Sequence, residues 1–185
     1  MTATNIELTE QQFFQLCQNN PELRLERTDR GEIIVMPPTG WETGNRNSRL
    51  TQRLGNWTDA DGSGLAFDSS TGFTLPNGAN RSPDAAWVRQ ERLAALKPDP
   101  AKFLPVAPDF VVELRSETDS LEKLRLKMQE YISNGVRLGW LIDSKNQRVE
   151  IYRINQDVEI LDAPTSLSGE DVLPGFILDL AKILR

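Results

Sequence analysis

The sequence predicts one α/β domain with a mixed central sheet flanked by helices, and three observations carry that expectation. Phe110-Val111-Val112-Glu113-Leu114 is a continuous apolar and β-branched run, the mark of a central strand covered on both faces. A helix follows it, with Asp119 as the expected N-cap, Glu122 three residues later and Asn134-Gly135 as its stop. The 185 residues, 38% of them hydrophobic, suffice for one full core, and no repeat, low-complexity tract or linker divides 1–185.

The remaining elements follow in chain order. Thr9 to Gln18 reads as a short helix with Thr9 at its N-cap and the phenylalanines inward. Arg30-Gly31 is a turn into a strand, Glu32 to Met36, that Pro37-Pro38 stops. Gly44 to Trp57 carries Leu50, Leu54 and Trp57 at helical spacing, so it is expected to pack through that stripe. Phe67 to Leu75 and Ala85 to Val88 read as strands, and Gln90 to Leu104 as a polar excursion at the sheet edge with a short helical register. Leu121, Leu124, Met128, Tyr131 and Ile132 form the apolar stripe of the helix after the central strand. Leu138 to Ile142 and Arg148 to Tyr152 form a hairpin about Ser144 to Gln147, which Val158 to Leu161 extends, and the segment from Leu173 closes the core with a last helical turn.

Composition removes whole classes of function. There is no histidine, which excludes Ser-His-Asp triads, Cys-His dyads and histidine-ligated zinc or iron. The single cysteine, Cys17, excludes an internal disulfide framework and lies among Phe13, Phe14 and Leu16 as an expected packing residue. No run is apolar enough to span a bilayer, and Met1 to Asn5 lacks the basic-then-apolar pattern of a signal peptide, so a cytoplasmic protein with no membrane partner is expected. A net charge of −6 argues against a general nucleic-acid binder and restricts any such contact to a local basic strip.

Carboxylate and lysine chemistry remains, and Asp84, Glu113 and Lys127 supply it. Two carboxylates on adjacent strands can hold a magnesium ion against a phosphate, and a nearby ammonium can orient attacking water or offset anionic charge. Strand alternation puts Glu113 and Arg115 on the same side as Val111. From Glu113 the chain runs outward by roughly 13 Å of strand and returns along the helix by roughly 12 Å, which brings Lys127 level with Glu113. Lys127 also falls between Leu124 and Tyr131, at the edge of the apolar stripe; the alternative is a solvated cation paired with Glu130. Asp109 lies about 13 Å along the strand from Glu113, too far to share a small ion, and is read as structural. Arg46, Arg49 and Arg53 recur on one helix face and are the expected basic strip, beside Asn45, Asn47, Ser48 and Gln52.

These residues together resemble the PD-(D/E)XK nuclease superfamily. The Pro108 to Leu114 strand, the Lys127 to Tyr131 helix, the Asn134-Gly135 turn and Trp140 to Asp143 are similar to its large bacterial Uma-type branch of restriction-endonuclease-like proteins, over about Gly31 to Arg153. The resemblance implies a restriction-endonuclease-like fold and Mg²⁺-dependent hydrolysis of DNA, with Mn²⁺ as a substitute ion and no organic cofactor. It implies that Asp84, Glu113 and the Leu114 carbonyl hold the metal and that chains pair as a homodimer, for which Leu126 on the polar side of its helix is a slight sign. The superfamily's usual lysine is replaced here by Arg115, which stays protonated and cannot activate water; in the resembled branch the lysine migrates to the helix, where Lys127 stands. Glu32 is a further candidate metal ligand, with Glu42 its rival, and the histidine common near the start of the next helix has no counterpart beyond Asn45 or Asn47. A catalytically inactive nuclease-fold module that binds nucleic acid or protein is the alternative, favoured by the acidic charge and by Arg115.

Overall fold

The computed structural model describes residues 7–184, so the Met1 to Asn5 segment lies outside the described residues. Its centre is a six-stranded sheet in the order β10 (Glu159–Asp162), β9 (Arg148–Arg153), β8 (Leu138–Asp143), β7 (Phe110–Leu114), β6 (Ala85–Arg89), β3 (Gly64–Asp68). Only β7 and β8 run parallel, as expected where the helix α4 (Leu121–Ser133) connects them; every other neighbouring pair is antiparallel. All five side chains of β7 are buried. Alternation along β7 sends Val112 and Leu114 into one core and Val111 into the other, so Glu113 projects on the Val111 side.

Helix α2 (Trp41–Asp61) covers the first face through Leu50 and Leu54, together with the hairpin of β11 (Ser166–Ser168) and β12 (Ile177–Asp179) and the C-terminal turn. Against the second face pack Met128 and Tyr131 of α4, Leu93 of α3 (Gln90–Leu96) and the apolar residues of a smaller sheet. That sheet has the order β2 (Ile33–Met36), β1 (Arg24–Arg27), β5 (Asn80–Arg81), β4 (Phe73–Thr74). The chain passes from β5 directly into β6 through Ser82-Pro83-Asp84, which hinges the small sheet onto the large one.

Thr9 caps α1 (Glu10–Asn19) in a reciprocal box with Gln12, and Phe13 is buried against Phe103. Cys17 is half-buried and burial pushes its thiol up, which fits packing rather than nucleophilic chemistry. Three expectations differ from the structure, and one strand was not expected. Helix α2 begins at Trp41, after Gly40, and ends at Gly62, whose φ of 72° makes the left-handed stop, so Gly44 is interior. Phe67 to Leu75 is two strands, because the Asp68 carboxylate accepts from the Ser70 N–H and turns the chain before β4. The N-cap of α4 is Ser120, and Asp119 instead accepts from the Ser116 N–H in the preceding loop. Strand β1, which pairs with β2 in register Glu26 to Ile34, has no apolar alternation to announce it. Among the described residues no helix is long and apolar enough to cross a membrane.

Candidate active site

Asp84 stands one residue before the register pair Ala85 to Val112, which sets it beside Glu113 on the neighbouring strand. The Asp84 Oδ2 accepts from the Leu114 N–H at 2.7 Å and its Oδ1 from the Asn47 Nδ2 at 3.0 Å. Burial raises the Asp84 carboxyl, outweighing the backbone N–H that favours its charged form. Glu113, 5% exposed, accepts at Oε1 from Lys127 Nζ at 2.8 Å and from the Tyr131 hydroxyl at 2.9 Å. Its Oε2 takes no hydrogen bond from the described residues. Burial pushes the Glu113 carboxyl up to about 7; Lys127 opposes that rise, and the negative charges of Asp84 and Glu26 add to it.

Lys127 reaches this position from α4 as the strand-and-helix path requires. Its ammonium lies 2.8 Å from Glu113 and 2.8 Å from Glu26 Oε1, not against Glu130. Burial disfavours the charged lysine, but these two carboxylates overcome it and hold the ammonium protonated. Glu26 comes from β1 and extends the site. It accepts also from the Ser82 N–H at 2.9 Å and from Arg81 at 3.2 Å, and Arg81 in turn pairs with Glu130 at 2.6 Å. Burial works against the Glu26 anion, yet Lys127 and Arg81 keep its carboxyl below the usual range. An alternating chain of charge therefore runs Glu113, Lys127, Glu26, Arg81, Glu130 across both sheets and α4. Sequence reasoning missed Glu26, Arg81 and the Tyr131 hydroxyl. The reversal at Gly31 between two short extended segments was the available sign of the β1–β2 hairpin that carries Glu26.

Glu26, Asp84, Glu113, Leu114 and Lys127 all line one cleft of about 1380 Å³. Glu32 lines it too, exposed, with its N–H on the Thr28 hydroxyl just before β2, whereas Glu42 pairs with Arg46 outside the lining. Arg115 turns away: its guanidinium pairs with Asp143 at 2.8 Å and donates to the Asp119 carbonyl. Asp109 is structural, accepting from the Arg89 N–H and pairing with Arg92. The expected arginine strip is not a free one. Arg46 is held by Glu42 and Ser144, Arg49 by Asn45, and Arg53 by the Asp179 carbonyl, and none of the three lines the cleft.

Among the described residues no group of three carboxylate, thiol or imidazole side chains is arranged to hold a metal, so a bound ion would rest on two carboxylates. The donor chemistry fits magnesium, which prefers a carboxylate or two and completes its shell with water. Glu113 Oε2 is open, and Asn47 Oδ1, fixed by the hydrogen bond from its own amide to Asp84, is buried with no partner. A buried amide oxygen left so costs about 1–3 kcal/mol unless water or a ligand donates to it.

No curated protein matches the chain. Its fold is similar to a crystal structure described as that of "a putative nuclease belonging to DUF820 from Anabaena variabilis", at 21% identity and a TM-score of 0.80, covering 96% of this chain and 97% of that one. The profile of the Uma2 family, described as "Putative restriction endonuclease", matches residues 10–181. With that match over nearly its whole length, and with a mixed sheet that brings Asp84, Glu113 and Lys127 together, the chain belongs to the Uma2 family of restriction-endonuclease-like proteins.

Proposed function

We propose that the protein is a Mg²⁺-dependent endonuclease that hydrolyses phosphodiester bonds in DNA, with Asp84 and Glu113 as metal ligands and Lys127 as the catalytic cation. The observation that carries this reading is the Lys127 ammonium, on a side chain only 12% exposed and 2.8 Å from Glu113 beside Asp84. A bare solvated lysine would not be drawn into a carboxylate cluster against its own desolvation cost. When bound, magnesium or manganese supplies a Lewis acid that polarises the phosphate and makes water a nucleophile at neutral pH.

The chain's own residues then have distinct roles. Asp84 is oriented by the Leu114 N–H and Asn47, which fix both of its oxygens. Tyr131 and Lys127 hold Glu113 Oε1, so Oε2 is the oxygen that would ligate an ion. Lys127 remains protonated, so it donates a hydrogen bond and offsets charge on the phosphate rather than removing a proton from water. Glu26 positions that ammonium from its far side. Arg115, occupied by Asp143, does not take the lysine's place.

The test is cleavage of plasmid and oligonucleotide DNA in Mg²⁺ and Mn²⁺ by wild type, Glu113→Gln and Lys127→Arg. Cleavage that needs the ion, vanishes in Glu113→Gln and falls by a factor of a hundred or so in Lys127→Arg is expected. Metal-independent cleavage would refute the metal site, and no cleavage with any ion would favour the inactive module.

A further inference from the structure

A lysine ammonium is a point charge on a flexible stem, so what holds Lys127 at the site has to come from its partners. It lies 2.8 Å from both Glu113 and Glu26 and 5.8 Å from the centre of the Tyr131 ring. Two carboxylates therefore draw on one cation. If Glu26 had no other, it would compete with Glu113 for the ammonium, and each carboxylate would be a buried anion with half a partner.

Arg81 removes that competition. Glu26 Oε1 takes Lys127 and the Ser82 N–H, while its Oε2 takes the Arg81 Nη1 at 3.2 Å. The same guanidinium places its Nε 2.6 Å from Glu130 Oε2, and the Asn77 amide holds the other oxygen of Glu130. Glu130 follows Lys127 by three residues on α4, the spacing of neighbours on one helix face. One planar fork thus grips both the carboxylate that touches the ammonium and the helix that carries it. The Arg81 side chain is only 9% exposed and ends β5, so it is fixed by the small sheet rather than by solvent. Asp84 is held elsewhere, by the Leu114 N–H and Asn47, and Glu113 by Tyr131 and Lys127.

We infer that Arg81 is the positioning residue of Lys127: through Glu26 it fixes the ammonium, and through Glu130 it fixes the turn of α4 beside it. The inference rests on the nuclease reading for its effect on rate and on the ion-pair geometry alone for its effect on the ammonium. An arginine that only fastened the small sheet to α4 would alter stability and leave the ammonium as it is.

The test reads the ammonium directly. Lys97, Lys102, Lys123, Lys145 and Lys182 are exposed, and Lys127 is the one remaining lysine. Metal-free protein labelled with ¹⁵N-lysine should therefore show one ammonium with slow proton exchange, assigned by its loss in Lys127→Arg. Arg81→Gln should speed that exchange by about tenfold or more, the scale of coupling within one ion-pair network. It should lower the single-turnover rate in Mg²⁺ by about ten- to a hundredfold, as misplacing a catalytic group does. The Mg²⁺ dependence of Tm should stay within about threefold of wild type, since the ion's own ligands are held by other groups. Arg81→Lys returns a cation between Glu26 and Glu130 and should recover part of both losses. Glu130→Gln cuts only the helix arm and should speed the exchange to a smaller degree; it decides the matter if Arg81→Gln does not fold.

Wild-type exchange in Arg81→Gln, or in Glu130→Gln where that variant decides, overturns the inference. So does a Mg²⁺ affinity that falls along with the rate, or an Arg81→Lys protein no better than Arg81→Gln. If the wild type cleaves nothing while exchange depends on Arg81, the nuclease reading fails and the positioning of Lys127 stands. If Arg81→Gln cleaves as fast as a wild type that needs Mg²⁺, the nuclease reading stands alone.

Discussion

Replacing Glu113 by glutamine preserves volume and both hydrogen bonds at Oε1 in outline while deleting the charge, and its effect on stability can be worked from the site. The Glu113 carboxyl titrates at about 7 in the folded protein against an ordinary 4.5, because burial and the charges of Asp84 and Glu26 outweigh Lys127. The unfolded chain therefore releases this proton near 4.5 and the folded chain near 7. Stability from the protonated group is complete below pH 4.5 and is lost as pH rises to 7, a total of roughly 3 kcal/mol. Glutamine has no proton to lose, so Glu113→Gln should be the more stable protein at pH 8 without metal, by up to roughly 6 to 12 °C in Tm for a chain of this size. The two proteins should converge near pH 4.5. Saturating Mg²⁺ should reverse the order, since an ion at about a thousand times its Kd stabilises only the wild type by about 4.1 kcal/mol. Differential scanning calorimetry from pH 4.5 to 8, with EDTA or Mg²⁺, reads all of this. Equal pH dependence of the two proteins would refute the buried-carboxylate account, and wild-type cleavage by Glu113→Gln would refute the site.

Lys127→Ala leaves Glu26 and Glu113 buried without their shared cation and should cost about 3–5 kcal/mol in urea unfolding, with cleavage lower by on the order of 10²-fold or more in single turnover. Arg115→Ala loses its pair with Asp143 and should lower Tm while sparing most of the rate; a dead Arg115→Ala beside an active Lys127→Ala would reverse the two roles. Asn47→Ala removes the donor to Asp84 Oδ1 and should weaken Mg²⁺ affinity by about tenfold, read as a rightward shift of the Mg²⁺ dependence of Tm. Glu26→Gln should leave Mg²⁺ affinity closer to wild type than Glu113→Gln does but lower the rate, because its contact is with the ammonium.

The parts of the fold legible in the sequence are those whose signal is local and periodic. The β7 run, the α4 stripe and the β8–β9 hairpin stand where their patterns place them. Lys127 was legible because path length along a strand and a helix is fixed geometry. Glu26 was not, because Arg24-Leu25-Glu26-Arg27 reads as a solvated segment: its residues 26 and 27 are buried with partners that include Arg81, Lys127 and Asn80, each more than fifty residues away. Tyr131 was counted as apolar since periodicity does not distinguish a phenol whose hydroxyl has found a buried carboxylate. The arginines of α2 share a face as spacing requires, but spacing is silent on which acceptors other elements bring to that face.

The chain of alternating charge from Glu113 to Glu130 also sets when the site can exist. Glu26 leaves the ribosome about one hundred residues before Lys127, and Glu113 and Asp84 fall between them. Until α4 is synthesised and docked, Glu113 and Asp84 have no cation to gather them, and Glu26 has Arg81 alone. A nascent or proteolysed fragment of this protein is thus expected to be inert toward the nucleic acids around it, and hydrolytic capacity to appear in one step with completion of the domain.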